Sequence, residues 1–236
     1  GKDCGLSERA PMCGVPFHAL DSYLYRLVQK GYKVAIAEQM EDPRQAKGLV
    51  KREVIRVVTP GTITSSQVLD ETKNNYLMGI VYMDGIYGIS TADISTGDFM
   101  VTEVDSDREL FDEINKFSPS EIICNNAFYM SGVDMDELKN RYQVVISALD
   151  SRFFGEESCR RILMEHFKVG ALVGLGLEDY ATGIIAAGAV MQYIYETQKS
   201  TLEHITTITP YSTGQYMVID TSTRRNLELE IGRAHV

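Results

Sequence analysis

The sequence predicts an α/β fold, in which a small mixed α/β domain precedes a larger α/β domain. Two observations predict it: strand-like and helix-like hydrophobic patterns alternate along the 236 residues, and the charge changes sign near residue 62. Hydrophobic residues make up 44% and charged residues 24%, which is typical of a globular protein and argues against a disordered tail. The longest apolar run, residues 183–191, is about half a membrane span, so we expect no membrane segment.

Charge is distributed unevenly between the two parts of the chain. Residues 1–62 hold 10 Lys and Arg against 7 Asp and Glu, whereas residues 63–236 hold 13 against 26, in a chain of net charge −10. Near the end of the first part, a cluster of cations faces only Glu53, and a polyanion could dock there. The alternative is an ordinary solvated surface. The cations are Arg44, Lys47, Lys51, Arg52 and Arg56.

The first part, residues 1–62, is predicted to contain one helix and two strands. Asp21 can cap the helix, and Gly31 occupies the position favoured for a helix end. Alternating apolar residues then indicate half-buried strands. The predicted elements are a helix over 22–30 and strands over 33–39 and 50–58, with residues 63–74 as a polar linker.

The second part is predicted to begin with an antiparallel meander. Asp84 and Gly85 are a strong hairpin signal between its first two strands. Ser106 followed by Glu109 signals a helix N-terminus, and the same spacing recurs at residue 134. Three antiparallel strands followed by alternating helices and strands is the order of a ribonuclease-H-like domain. The predicted strands cover 76–82, 86–94, 99–104, 121–124 and 142–149, and the predicted helices cover 107–117, 156–167 and 179–198.

Three carboxylates are candidates for enzymatic chemistry. Nucleases of the ribonuclease-H-like fold hold two divalent metals with acidic residues on their first strands. Asp93 lies within a predicted strand, so a metal-dependent nuclease using Asp93 is the alternative function. Asp84 and Asp98 adjoin turn glycines, where aspartate is an ordinary turn residue. The sequence contains neither a P-loop nor a GxSxG motif, and its four cysteines lack CxxC spacing, so we expect reduced, mostly buried thiols.

Five stretches of the sequence carry a recognisable pattern: APMCGVPFHALDSYLYRLVQKGYKVAIAEQMEDP, KGLVKREVIRVVTPGT, DISTGDF, LVGLG and DTSTRRNLEL. Taken in this order, they resemble the MutS family of DNA mismatch repair proteins. The resemblance covers residues 2–229. It implies that residues 1–62 are the C-terminal part of a mismatch-binding domain and that residues 75–198 are a ribonuclease-H-like connector domain without nuclease activity. It also implies that residues 199–229 begin an α-helical core.

The resemblance implies a part of a protein that binds mispaired double-stranded DNA and initiates repair. In the family, the loop matching residues 11–18 lies against the DNA backbone and minor groove, and basic residues supply phosphate contacts. The alternative for each cation is an ion pair with the acidic connector. The family's mismatch-reading Phe-x-Glu motif lies upstream of the matched stretches, and its ATPase domain lies far downstream. We therefore expect neither catalysis nor a cofactor in this chain, with ATP and Mg²⁺ belonging to the full-length family. The implied DNA-binding residues are Pro11, Met12, Val15, Pro16, His18, Lys47, Lys51 and Arg52.

The resemblance also implies protein partners. In the family the connector docks MutL, and the helix over 158–167 would carry Arg160 and Arg161 as charged anchors; the alternative is an exposed helix face. The full-length family forms homodimers, and we expect a bacterial cytoplasmic, nucleoid-associated protein. A third interpretation is an interaction scaffold that does not touch DNA. Residues 230–236 depart from the family pattern and resemble a translated sequencing adaptor, so we expect a truncated gene product.

Overall fold

A computed structural model describes residues 14–42, 44, 45, 48, 50–64 and 74–213. These residues form a two-stranded antiparallel sheet and a six-stranded mixed sheet. The helices are α1 (Leu20–Gln29), α2 (Asp107–Phe117), α3 (Asn126–Tyr129), α4 (Met135–Tyr142), α5 (Glu156–Phe167) and α6 (Ala181–Gln198). The strands are β1 (Val34–Gln39), β2 (Arg52–Val58), β3 (Tyr76–Met83), β4 (Ile86–Asp93), β5 (Asp98–Val104), β6 (Glu121–Cys124), β7 (Val145–Ala148) and β8 (Thr209–Pro210).

In the first unit, residues 14–64, α1 packs on the sheet formed by β1 and β2. Leu24 and Val28 are the buried residues of α1, and they pack with Val58 and Ile63. The helix begins two residues before the predicted start, and Asp21 lies in its first turn instead of capping it. The capping prediction was wrong because a 3₁₀ turn already leads the chain into the helix.

The β1–β2 ladder is antiparallel and spans a shorter stretch than the sequence predicts. It runs from Val34 opposite Val58 to Gln39 opposite Arg52. The predicted strands began at residues 33 and 50, which lie outside this ladder. Lys33 instead reaches towards the second unit, where its ammonium group meets a buried carboxylate.

The second unit, residues 74–213, is built on the six-stranded sheet of order β7-β6-β3-β4-β5-β8. The strands β3, β4 and β5 form the predicted antiparallel meander, and β6 and β7 add to it in parallel. Asp84 and Gly85 both have positive φ, at 51° and 83°, as a two-residue hairpin turn of the primed type requires.

Helices cover both faces of this sheet. Leu110, Phe128 and Leu138 bring α2, α3 and α4 onto one face. Leu163 and Ile194 bring α5 and α6 onto the other. The helix α6 is buried on nearly all sides, which explains the apolar run in the sequence. None of the described helices is long and apolar enough to cross a membrane.

Glycines bring α6 unusually close to its neighbours. A Cβ atom on Gly88 of β4 would overlap the backbone of Thr182 and Gly183, and one on Gly188 would overlap Cys159 of α5. Gly183 of α6 is also tightly packed, because a Cβ atom there would lie 2.8 Å from Cγ2 of Val101 on β5. Close approach of backbone to backbone is therefore what these positions need.

The two predicted helix N-termini of the second unit are confirmed, whereas one predicted strand is shorter than expected. Ser106 accepts a hydrogen bond from the Glu109 amide, and Asp134 accepts two at the start of α4. The strand predicted over 142–149 is shorter, because Tyr142 ends α4 and Gln143 adopts a left-handed conformation, with φ at 52°. The ladder then spans Val145–Ala148.

Residues after α6 remain packed on the second unit. Leu202, Ile205 and Ile208 join its hydrophobic core, and β8 pairs with β5 in parallel. The sequence analysis placed residues 199–229 at the start of a helical core. The described part of that range, 199–213, instead extends the six-stranded sheet, and residues 214–229 lie outside the described residues.

We expect Gly88→Ala to destabilise the protein strongly. The new methyl group would force β4 and the backbone of α6 apart, which generally costs about 1–3 kcal/mol of unfolding free energy. Urea unfolding followed by circular dichroism measures this loss. Gly170→Ala is the control, because a Cβ atom there meets nothing within 4 Å. Equal unfolding midpoints for the two variants would contradict the close packing.

Candidate nucleic-acid interface

The first unit has two ends that differ in their surroundings. The ladder pairs Val34 with Val58 at the end nearest the second unit, and Gln39 with Arg52 at the other. Because residues 30–33 form a short connection between α1 and β1, the start of α1 lies at the same end as Gln39. We call this the distal end: residues 15–18 together with 39–42, 44, 45, 48 and 50–52. It gathers the described DNA-contact candidates.

The loop before α1 is apolar and exposed. Val15, Pro16 and His18 are all exposed, and the Pro16 carbonyl accepts the first hydrogen bond of the 3₁₀ turn, from the Ala19 amide at 3.0 Å. The neighbouring Phe17 is 88% exposed, although sequence reasoning did not select it. Its position within the GVPFH stretch was the available signal. Pro11 and Met12 lie outside the described residues.

The three predicted phosphate-contact cations differ in their surroundings. Lys51 forms an ion pair with Glu53, with Nζ and Oε1 2.6 Å apart, and both side chains are well exposed. The hydrogen bond from Lys51 lowers the pKa of Glu53, and the same bond raises the pKa of Lys51. Arg52 is exposed and has no ion-pair partner among the described residues. Lys47 lies outside them.

The alternative that these cations pair with the acidic connector does not hold for Lys51, whose partner belongs to its own unit. A different cation of the first unit, Lys33, makes the contact with a carboxylate of the second unit. Sequence reasoning did not identify Lys33, because nothing in the local pattern marks a strand-flanking lysine for contact with a distant carboxylate. Of the described candidates, Arg52 is therefore the cation best placed to meet a phosphate.

The second unit holds the two predicted anchors for a protein partner. Arg160 forms an ion pair with Glu156 one turn earlier on α5, with Nε and Oε1 3.1 Å apart. Arg161 is exposed and has no ion-pair partner among the described residues. The buried face of the same helix is formed by Cys159 and Leu163. By the helical repeat of about 3.6 residues per turn, Arg160 lies beside that face, whereas Arg161 lies on the opposite side of the helix and is the freer of the two.

The structure gives Asp93 a structural task in place of the predicted nuclease task. Its Oδ1 accepts hydrogen bonds from the Ser95 amide at 2.8 Å and the Ser95 hydroxyl at 2.5 Å, and its Oδ2 accepts one from the Asn75 amide at 3.1 Å. Asp84 lies at the opposite end of β4. Asp98 faces Asp93 across the ladder and accepts from Asn74. The three carboxylates therefore do not converge.

Two further observations concern reactive groups. Within the described residues, no cluster of three or more His, Cys, Asp or Glu side chains is placed to hold a metal ion. Cys124 and Cys159 are buried free thiols, and burial raises the pKa of each to about 12. This agrees with the expectation of reduced, buried thiols for these two. Cys4 and Cys13 lie outside the described residues.

The fold defines the class of the protein: two α/β domains in tandem, joined through a buried junction. Comparison with family models refines this class. The model described as MutS domain I matches residues 1–67, and the model described as MutS domain II matches residues 75–206. The chain belongs to the MutS family.

Curated relatives agree with the family models. The chain is 59% identical over 229 residues to the DNA mismatch repair protein MutS of Lachnoclostridium phytofermentans, with 97% of this chain and 25% of that protein covered. It is 50% identical over 232 residues to the protein of the same name from Acetivibrio thermocellus, covering 97% of this chain and 26% of that protein. The chain therefore spans about a quarter of the length of these relatives.

We expect Asp93→Asn to lower stability. The NH₂ group of the asparagine side chain would face backbone amide or hydroxyl groups that now donate hydrogen bonds to the carboxylate. Leaving buried groups unpaired in this way generally costs about 1–3 kcal/mol. Urea unfolding measures the change, and Asp98→Asn, at the exposed position opposite, is the matched control. A stable Asp93→Asn variant that had lost a Mg²⁺-dependent nuclease activity of the parent chain would reverse this assignment.

Proposed function

We propose that the chain is part of a protein that binds mispaired duplex DNA and so initiates mismatch repair. The relatives are named as DNA mismatch repair proteins, which supports this proposal. In it, the first unit is the C-terminal part of a mismatch-binding domain and the second unit is the connector. The chain supplies DNA contacts and no catalytic step.

The observation that carries the proposal is the composition of the distal end. There an exposed apolar loop, with Phe17 88% exposed, is combined with Arg52, a cation that has no ion-pair partner among the described residues. Short apolar side chains suit packing against the floor of a widened minor groove, and cations bind phosphates whatever the sequence. A protein that must find errors in any sequence context needs contacts that do not depend on base identity. Such contacts recognise how easily the duplex is deformed.

The strand order supports a ribonuclease-H-like connector. A central β3 has the antiparallel β4 and β5 on one side and the parallel β6 and β7 on the other. This is the arrangement that the sequence order of three meander strands and two later parallel strands predicts. We propose that the connector transmits DNA binding to the rest of the protein, with no nuclease activity of its own.

The remaining functions belong to the whole protein. We propose that ATP and Mg²⁺ bind outside this chain, whose sequence has no P-loop, and that residues 214–229 lead into the helical core. We further propose a homodimer, working in the bacterial cytoplasm on the nucleoid. We also propose MutL as the partner of the connector, with the exposed Arg161 of α5 as an anchor.

We expect this chain to bind matched and singly mispaired duplexes weakly and about equally, because residues 1–62, the proposed DNA-binding part, contain no Phe-x-Glu motif. Arg52→Ala should weaken binding to both duplexes alike and lower the slope of log affinity against log salt by about 1. Fluorescence anisotropy at two salt concentrations measures both effects.

Arg141→Ala is the control for the DNA measurement, because Arg141 is an exposed arginine of the second unit that pairs with Glu137. A clear preference for the mispair would show that recognition does not need the Phe-x-Glu motif. Absence of binding to either duplex would overturn the DNA-contact proposal and favour an interaction scaffold.

We expect Arg161→Glu to weaken binding of the chain to purified bacterial MutL, because it reverses an exposed charge on the proposed docking helix. Surface plasmon resonance with immobilised MutL measures the loss. Arg141→Glu makes the same charge change on α4 and should leave binding unchanged. Equal binding by both variants would remove α5 from the MutL interface.

A further inference from the structure

A carboxylate from the second unit is completely buried where the two units meet. Glu121, the first residue of β6, has no exposed surface. Its Oε2 accepts a hydrogen bond from the Thr59 hydroxyl at 2.5 Å and another from the Gly61 amide at 3.0 Å. Both donors come from the turn that ends the first unit. One oxygen of Glu121 is therefore fully occupied by the neighbouring domain.

The other oxygen binds groups from both units. Its Oε1 accepts from the Tyr193 hydroxyl of α6 at 2.7 Å and lies 3.3 Å from the ammonium group of Lys33. Lys33 also donates to the Tyr193 hydroxyl at 3.0 Å. Burial, together with the charge of Glu121, raises the pKa of Tyr193, so this hydroxyl remains a hydrogen-bond donor.

Further contacts surround this cluster. The Asn75 side-chain amide donates to the Pro60 carbonyl at 3.0 Å, and Ser120 donates to the Asn75 side-chain oxygen. Farther along the first unit, Lys199 donates to the Val54 carbonyl at 2.9 Å. The bonds to the Pro60 and Val54 carbonyls cross the junction, which polar groups therefore hold at several separate points.

We infer that Glu121 is a positioning residue that fixes the orientation of the first unit on the second. With Lys33, Thr59, Gly61 and Tyr193 it forms what we call the interdomain latch. A buried carboxylate is stable only while its partners stay in place, because removing a partner leaves an uncompensated charge in the interior. Any rotation of the first unit would separate Glu121 from Lys33, Thr59 and Gly61 together.

The latch has a consequence for DNA binding that rests on the proposed function. If the distal end contacts DNA, the latch makes the two units move as one body, so that a displacement imposed by a kinked duplex reaches the six-stranded sheet undiminished. The latch includes none of the proposed DNA-contact residues. It can therefore be measured in the absence of DNA.

Spin-label distance measurements on the whole chain test the latch. Labels are placed at Ser22→Cys on α1 and Glu165→Cys on α5, both exposed positions, with Cys4 and Cys13 replaced by Ser. Cys124 and Cys159 are buried and need no replacement. We expect a single narrow distance distribution for the parent chain, and loss of that narrow distribution in Lys33→Met and Glu121→Gln.

Three comparisons separate positioning from general destabilisation. Arg141→Met breaks an exposed ion pair within the second unit and should leave the distribution narrow. Lys33→Arg keeps the positive charge and should give a distance distribution as narrow as that of the parent chain. If Glu121→Gln fails to fold, Lys33→Met and Tyr193→Phe still test whether the latch fixes the interdomain distance, because both variants leave the Glu121 carboxylate in place.

A distribution as narrow as that of the parent in folded Lys33→Met would overturn the latch, and so would an equal broadening in Arg141→Met. DNA anisotropy on the same proteins separates the two proposals. A chain with a narrow distribution that fails to bind DNA overturns the proposed function and leaves the latch standing.

Discussion

The burial of Glu121 constrains the rest of the structure. A carboxylate without exposed surface requires donors that are fixed in space, and here they arrive from α6, from the turn at Thr59 and from Lys33. Removing one partner of a buried ion pair generally costs about 3–5 kcal/mol, and less here because the Lys33 side chain is 34% exposed. The register of β6, the position of α6 and the placement of the first unit thus depend on one another.

The same junction explains why Asp93 is buried. Asp93 accepts a hydrogen bond from the backbone amide of Asn75, and the side chain of Asn75 in turn donates to the Pro60 carbonyl of the first unit. The carboxylates of Asp93 and Glu121 therefore both organise backbone where the chain passes between units. Polar groups buried at the domain boundary fix geometry here, whereas the described DNA-contact candidates are exposed at the distal end.

Much of the secondary structure was predictable because its signals are local. The hairpin at Asp84 and Gly85, the cap at Ser106 and the bounds of α5 depend on residues within one or two turns of each other. The errors fell where a tertiary contact or a neighbouring element prevailed. Lys33 leaves the strand for a distant carboxylate, and the chain after residue 199 joins the six-stranded sheet through β8.

The sequence by itself determined the family, the α/β class and the apolar loop, because motifs, hydrophobic periodicity and turn residues are read along the chain. Tertiary structure alone decided which charges are free. Lys51 is paired with Glu53, Arg52 is unpaired among the described residues, and Glu121, an unremarked residue in the sequence, lies at the domain junction. The contact between Glu121 and Lys33 joins residues that are far apart in sequence, and no local pattern records that they will meet.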